Sequence, residues 1–244
     1  FEDRETGDCT VQPHFDYPHA YLADLPSKLT ATGVGRGYRA DEAAEQTPPP
    51  RKEVQLRAPL FEQGEKKLTP AEIGTVHHLF MQFCDFDAAC APNGVENELN
   101  RLAEKKILST EQAHAVDKRK IERFFASDLY KTFMAENKVR REFKFSVLVP
   151  AQAYFPVAAD APEENVLLQG VIDCLIETRD GFVILDFKTD RIKKGGAVER
   201  AEQYRPQLAA YARAVHEIYG RPVRACVLYF FHTGDTEWVS LDED

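Results

Sequence analysis

The sequence is poor in cysteine, has no long apolar run and carries no excess of basic charge. Its five cysteines (Cys9, Cys84, Cys90, Cys174 and Cys226) are odd in number and scattered, with no Cys-x-x-Cys pair. They read as reduced thiols, not as a disulfide framework or a structural zinc site. No apolar stretch reaches the roughly 18 residues that mark a bilayer-spanning helix, so no membrane partner is expected. The opening Phe-Glu-Asp-Arg has neither a basic start nor an apolar stretch, so no signal peptide is expected. A start without Met reads as a piece of a longer polypeptide. Gly-x-x-x-x-Gly-Lys-Ser/Thr is absent, so the chain has no ATP site of the phosphate-loop kind. It also lacks Gly-x-Ser-x-Gly and His-Glu-x-x-His, which sets aside serine-hydrolase elbows and the commonest zinc protease motif. Lys plus Arg number 31 against 40 Asp plus Glu, a net charge of -9. That balance argues against a free-standing, non-specific nucleic-acid binder. It leaves room for a local basic track, or for basic surface supplied by a larger assembly.

What is present is ordinary globular material: 244 residues, enough for one sizeable core with elaborations. Residues 1–67 read as an extended arm or linker, partly ordered by packing, because Gly33-Val-Gly-Arg-Gly37 and Pro48-Pro-Pro50 interrupt a charged, Ala-rich stretch. The domain proper is placed at 68–244. Thr69-Pro70-Ala71-Glu72 is a capping box with Pro at the first helical position. Ile73, Val76, Leu79, Phe80 and Phe83 then follow helical spacing to near Phe86. A second helix is expected over 96–107, and a third from Ser109 carrying Ile121, Phe124, Phe125 and Leu129. The period then becomes two. Val139, Arg141, Phe143, Phe145, Val147 and Val149 define a strand, and two more run over about 167–177 and 182–189, joined at Asp180-Gly181. A helix over about 199–219 and a strand from Val223 to Phe231 follow. Pro206 requires that helix to kink or begin late. The hairpin strands are apolar on both faces, which predicts a sheet covered by helices on both sides.

If Asp180-Gly181 form a two-residue loop, Asp173 falls opposite Lys188, with Asp186 as the diagonal neighbour on the same face. Ile172, Cys174, Ile176, Val183, Leu185 and Phe187 then form the other, apolar face. Charges inside core strands are costly unless paired, metal-bound or functional. A structural Asp–Lys ion pair is one reading. Metal-assisted phosphodiester hydrolysis is the other: two carboxylates hold Mg²⁺, and the lysine orients water or stabilises transition-state charge.

Gly170-Val-Ile-Asp173, followed by Asp186-Phe-Lys188-Thr189-Asp190, resembles the PD-(D/E)xK nuclease superfamily in its RecB-type branch. Gly74-Thr-Val-His-His78 matches that branch's Gly-x-x-x-His helix motif, and Gln207-Leu-Ala-Ala-Tyr211 its Gln-x-x-x-Tyr motif. Together with Leu25-Pro-Ser-Lys-Leu-Thr30 upstream, the wording is most similar to the carboxy-terminal nuclease domains of AddA-type helicase–nucleases. The resemblance implies an α/β, restriction-endonuclease-like core, with a mixed β-sheet flanked by helices in the order helices-β-β-β-α-β. It implies Asp173, Asp186 and Lys188 as catalytic residues, and His78, Asp173, Asp186 and the Phe187 backbone carbonyl as metal ligands. Gln207, Tyr211 and Gly170 become DNA-binding or site-supporting residues. The implied cofactor is Mg²⁺, with Mn²⁺ as a substitute. The implied partners are single-stranded DNA, a helicase portion of the same polypeptide and an AddB-type protein, in the bacterial cytoplasm at the nucleoid. No iron–sulfur cluster is expected, since Cys226 is the one late cysteine. A catalytically silent DNA-binding or docking module on the same fold is the alternative. Glu142 reads either as a ligand for a second metal or as an exposed partner of a nearby arginine. The downstream Lys193, Lys194, Arg200, Arg205, Arg213, Arg221 and Arg224 read either as a phosphate track or as a solvated face.

Overall fold

The computed structural model describes residues 20–34, 68–161 and 163–241. Most of the stretch read as an arm therefore lies outside the described residues. Its described part holds a short 3₁₀ turn, Ala20–Leu22, and a strand, β1 (Lys28–Thr30), that the sequence pattern does not announce. A helical block follows: α1 (Pro70–Phe83), α2 (Phe86–Ala89), α3 (Gly94–Glu104), α4 (Thr110–Ala115) and α5 (Lys118–Ala126), closed by a π-helical turn at Leu129–Met134. Then come β2 (Lys138–Pro150), β3 (Asn165–Thr178), β4 (Gly181–Lys188), α6 (Ala197–Tyr219), β5 (Val223–Phe230) and β6 (Asp235–Val239).

The caps decide where helices start. Thr69 Oγ1 accepts from the Glu72 N–H while the Glu72 carboxylate accepts from the Thr69 N–H, so α1 has the expected capping box. Ser109 and Gln112 make the same exchange at α4. The third helix is not continuous, however. Val116 is extended, and the chain restarts at Asp117 so that α5 can turn Ile121, Phe124 and Phe125 inward. Helix α6 begins nine residues before Pro206 and runs through it. The missing proline N–H is offset by the burial of Ala201, Leu208, Ala210, Tyr211, Ala214 and Val215.

The sheet is mixed, with strands in the order β1-β3-β4-β5-β6 and β2 pairing with β3 along its whole length. The strand β6 extends the expected order by one. Strand β4 runs antiparallel to β3 and parallel to β5, which α6 makes possible as the crossover. Two cores result. The α1–α5 block packs on one face over Cys174, Ile176, Val183, Leu185 and Phe187. Helix α6 packs on the other over Leu175, Phe182, Ile184, Cys226 and Leu228. Both faces are covered, as the apolar strands require.

The register corrects the sequence expectation. Thr178 pairs with Gly181 and Cys174 with Leu185, so the loop is Arg179-Asp180. The turn is held from outside, with Arg221 donating to the Thr178 carbonyl and Arg224 to that of Asp180. Extending this register puts Asp173 opposite Asp186, not Lys188. The face assignment also changes at one residue. Ile172 lies in the α6-side core with Val166 and Leu168, whereas Cys174 and Ile176 lie in the other. Strand β2 slips at the facing position: Val139 packs towards the helical block, and Phe143, Phe145 and Val149 towards α6. The slip is local to Glu142, whose φ is 49°, and to Asp173 across from it.

Candidate active site

Along one edge, β3 changes partner. Strand β1 pairs with Leu167–Gln169 and β4 with Cys174–Thr178, and residues 170–173 lie between the two pairings. Asp173 occupies this fork. Its Oδ2 accepts from the Phe187 backbone N–H at 2.7 Å, replacing the bond a continuous ladder would make. In a strand, the N–H and C=O of one residue point the same way. The Phe187 carbonyl is therefore turned to the Asp173 side as well.

Helix α1 delivers His78 to the same place, with Nδ1 3.3 Å from Asp173 Oδ1. Gly74 explains how α1 comes so close. A Cβ there would stand 2.7 Å from Thr189 Oγ1, just beyond the end of β4. The opposite end of the helix is clamped by Arg141, which donates to the Met81 and Cys84 carbonyls and lies over the Phe86 ring at 4.5 Å. His77 is a core residue: it is buried, with Nδ1 on the Ile73 carbonyl at 2.8 Å and its ring against Phe231. At Gly170 a Cβ would meet the Phe145 ring at 2.6 Å and Ala31 Cβ at 3.2 Å. The close approach at this glycine is protein packing beside Asp173.

Asp186 is almost fully buried, and Lys188 Nζ lies 2.6 Å from its Oδ2. The contact is a close ion pair. Burial pushes the Asp186 carboxyl above the ordinary range; Lys188 opposes the push and the Asp173 charge adds to it. His78 moves upward too. Burial alone would lower it, but the hydrogen bond and charge of Asp173 prevail. Lys188 Nζ donates to Gln207 Oε1 at 3.1 Å, and Gln207 Nε2 to the Tyr211 hydroxyl at 2.8 Å. Gln207 and Tyr211 are both buried and share a face of α6. The structure thus brings His78, Asp173, Asp186, Phe187, Lys188, Gln207 and Tyr211 into one run of contacts, with Gly170 packed beside it.

Glu142 reaches this site from β2. Among the described residues Glu142 has no ion pair with an arginine: Arg140 goes to Glu177 and Tyr219, and Arg141 to α1. Burial, and then the Asp173 charge, raise the Glu142 carboxyl, with His78 opposing. A non-glycine residue at positive φ beside paired acids is strain at a candidate functional position. The basic track shrinks: Arg200 pairs with Asp190, Arg205 with Glu202, and Arg221 with Glu177. Among the described residues, no ion pair involves Lys193 or Lys194.

Sequence reasoning misses Tyr204, quotes Asp190 within the motif without a role, and reads Arg200 only as part of a phosphate track or a solvated face. The Tyr204 hydroxyl donates to Asp190 Oδ2, Arg200 Nε donates to the same oxygen at 3.0 Å, and Lys188 Nζ sits 3.8 Å above the Tyr204 ring. The available signal is Tyr204 standing three residues before Gln207, on the same helix face.

Among the described residues, no three His, Cys, Asp or Glu side chains already stand as a ligand set. Asp173 is taken up by His78 and the Phe187 N–H, and Asp186 by Lys188. The donors nevertheless suit a hard divalent cation. The buried Asp186 Oδ2 is met by Lys188 Nζ, a second carboxylate lies across the fork, and an imidazole and a backbone carbonyl flank them.

A profile of the PD-(D/E)XK nuclease superfamily matches residues 51–240. Members of that superfamily generally use divalent metal ions. The chain is 40% identical, over 94% of its length, to an ATP-dependent helicase/nuclease protein of the AddA type from Moorella thermoacetica. It is 38% identical over 90% to the protein of the same name in Desulforamulus reducens, and 35% identical over 91% to the one in Desulforudis audaxviator. It spans 17%, 18% and 18% of those proteins, respectively. Among the described residues, no helix is long and apolar enough to cross a membrane. With its paired acids and lysine at the sheet fork, and with the profile matched over most of its length, the chain belongs to the PD-(D/E)XK nuclease superfamily.

Proposed function

We propose that this domain hydrolyses phosphodiester bonds of single-stranded DNA with Mg²⁺ as cofactor, as the nuclease part of a helicase–nuclease that processes double-strand breaks. The observation that carries the reading is the fork itself: Asp173 and Asp186 on adjacent strands, with Lys188 and His78 against them. Two acids facing each other, one of them buried against a single lysine, make an expensive core, and the arrangement makes sense as a cation site.

Asp173, Asp186, the Phe187 carbonyl and His78 would hold the cation, with Glu142 beside Asp173 as a further acid. When bound, the cation supplies Lewis-acid polarisation of the phosphodiester and a more acidic water. Lys188 Nζ donates to the oxygen that gains charge, or to the attacking water. Gln207 accepts from that ammonium and is itself oriented by Tyr211, which fixes the direction of the lysine. Lys193 and Lys194, just past the β4 end, suit contact with flanking phosphates. A motor in the same polypeptide and an AddB-type partner would deliver the strand, in the cytoplasm at the nucleoid. The names of the relatives support the motor, and delivery by it accommodates the acidic net charge.

The test is cleavage of end-labelled single-stranded DNA with Mg²⁺ by the parent, Asp173→Asn and Lys188→Ala, with melting curves for each. Cutting that is lost in folded variants supports the reading. Equal cutting by all three places the chemistry elsewhere, and no cutting by the parent, with no thermal response to Mg²⁺ or Ca²⁺, favours a silent module.

A further inference from the structure

We propose that Tyr204 is a positioning residue for Lys188, its ring face supporting the ammonium while Asp190 and Arg200 pin the ring. The proposal rests on Lys188 being the lysine of the nuclease site. A lysine stem has four rotatable bonds and a compact charge, so its ammonium takes its place from what surrounds it. Three groups surround this one: Asp186 Oδ2 at 2.6 Å, Gln207 Oε1 at 3.1 Å and the Tyr204 ring centroid at 3.8 Å. The first is also a candidate cation ligand, so the lysine and the cation would compete for it. The ring face offers attraction without an oxygen that a cation wants, and 3.8 Å is well inside cation–π reach.

The ring is held as a part of the site. Its hydroxyl donates to Asp190 Oδ2. Arg200 Nε reaches that same oxygen at 3.0 Å, and Arg200 Nη2 lies 3.3 Å from the hydroxyl. Asp190 is two residues beyond Lys188, so this triad staples the end of β4 to the first half of α6. Burial opposes ionisation of Asp190, yet the hydrogen bonds from Tyr204 and Arg200 hold its carboxyl below the usual range. Burial first and Asp190 second push the Tyr204 hydroxyl up to about 12, so it stays a donor at neutral pH. Tyr204, Gln207 and Tyr211 are spaced i, i+3, i+7 and form one stripe on α6 that meets the lysine. Tyr204 is half-buried at the margin of the α6-side core, so Tyr204→Leu keeps an apolar side chain there while removing the ring.

The experiment is lysine ε-carbon NMR on the protein, with the Lys188 signal assigned by its loss in Lys188→Arg. The ε protons of Lys188 should lie upfield of those of exposed lysines because of the ring current. Tyr204→Phe, which removes the pinning hydroxyl, and Asp190→Asn should each reduce that displacement, and Tyr204→Leu should abolish it. Alongside, kcat on single-stranded DNA at saturating Mg²⁺ should fall about tenfold in Tyr204→Leu and by less in Tyr204→Phe, with KM within about threefold, as loss of one cation–π contact implies. A Lys188 signal without upfield displacement in the parent, or unmoved in folded Tyr204→Leu, overturns the proposal. So does an unchanged kcat in a variant whose Lys188 signal has moved. If the parent cuts no DNA, it is the nuclease reading that fails, and the spectrum then decides the placement of Lys188 alone.

Discussion

Lys188→Met tests whether the charges at the fork are a cation site or a structural ion pair. The substitution keeps the length of the stem and removes the ammonium. Asp186, its side chain 6% exposed, is then left across from Asp173 with His78 as the remaining basic neighbour among the described residues. Removing one partner of a buried pair costs about 3–5 kcal/mol, and the site's access to water at Lys188 (13% exposed) favours the lower end, about 3 kcal/mol. For a domain of this size that is a fall in Tm of roughly 6–12 °C. Calcium separates the two readings, because it can occupy such a site without supporting rapid turnover. In the parent a cation must take Asp186 from Lys188; in the variant it meets an uncompensated carboxylate pair. Ca²⁺ at about a hundred times its Kd would return about 2.7 kcal/mol, so most of the lost stability should reappear. The parent should gain less at the same concentration. The assay is a melt of both proteins across a Ca²⁺ series. A variant as stable as the parent would show that Asp186 carries no charge needing compensation. A variant that is destabilised but indifferent to Ca²⁺ would leave a structural ion pair and no cation site.

Two further predictions concern the scaffold. Glu98 is buried and accepts from Arg101 and from the Asp85 N–H at 2.6 Å, which joins α3 to the start of α2. Arg101, helped by that N–H, holds its carboxyl below the ordinary range against the push of burial, so its stabilising effect is present above the unfolded-state pKa and lost as pH falls through the folded-state value. Glu98→Gln should therefore cost about 1.5–3 kcal/mol in neutral urea melts and converge on the parent in acid; a gap that persists in acid would mean a packing defect. Gly74→Ala puts a Cβ 2.7 Å from Thr189 Oγ1, and the strain should outweigh the gain of roughly 1 kcal/mol from Ala in a helix. Adding Thr189→Ala removes the clash, so the double variant should recover both Tm and cleavage. A single variant more stable than the parent and fully active would show that α1 does not depend on this contact.

How much of the fold is legible depends on the range of the signal. The start of α1, the hairpin and the long α6 announce themselves through caps, an Asp-Gly pair and periodicity, all of which act within a few residues. The motif residues carry the site because strand alternation and helix spacing place Asp186 beside Lys188, and Gln207 beside Tyr211, without tertiary information. Strand β1 escapes because three residues bounded by turns carry no periodic pattern; its partner, Leu167–Gln169, is far away in the chain. The hairpin register differs from the expected one by two residues for a similar reason. Gly181 enters the ladder opposite Thr178, and Arg221, just after α6, and Arg224, at the start of β5, hold the turn.

The slip at Glu142 and Asp173 is the most instructive departure, because strict alternation fails at the candidate site. A regular β3 would put Ile172 and Cys174 on one face and leave Asp173 facing α6. In the structure these neighbours belong to opposite cores, and Asp173 turns into the fork with both oxygens engaged, by His78 Nδ1 and the Phe187 N–H. The slip needs a partner strand that yields at the same level, and Glu142 yields by adopting φ of 49°, a conformation that costs a non-glycine residue about 1–2 kcal/mol. No local rule asks for that cost, since Glu142 has no glycine-like freedom and the β2–β3 ladder keeps one register on both sides of it. What requires it is the need to bring β1 and β4 to one edge of β3 and to open between them a gap wide enough for a carboxylate. The sequence records the gap only as charged residues where a strand should be apolar. Such a break in pattern can be read as a site from the sequence alone, but its shape comes from the pairing of strands that lie far apart in the chain.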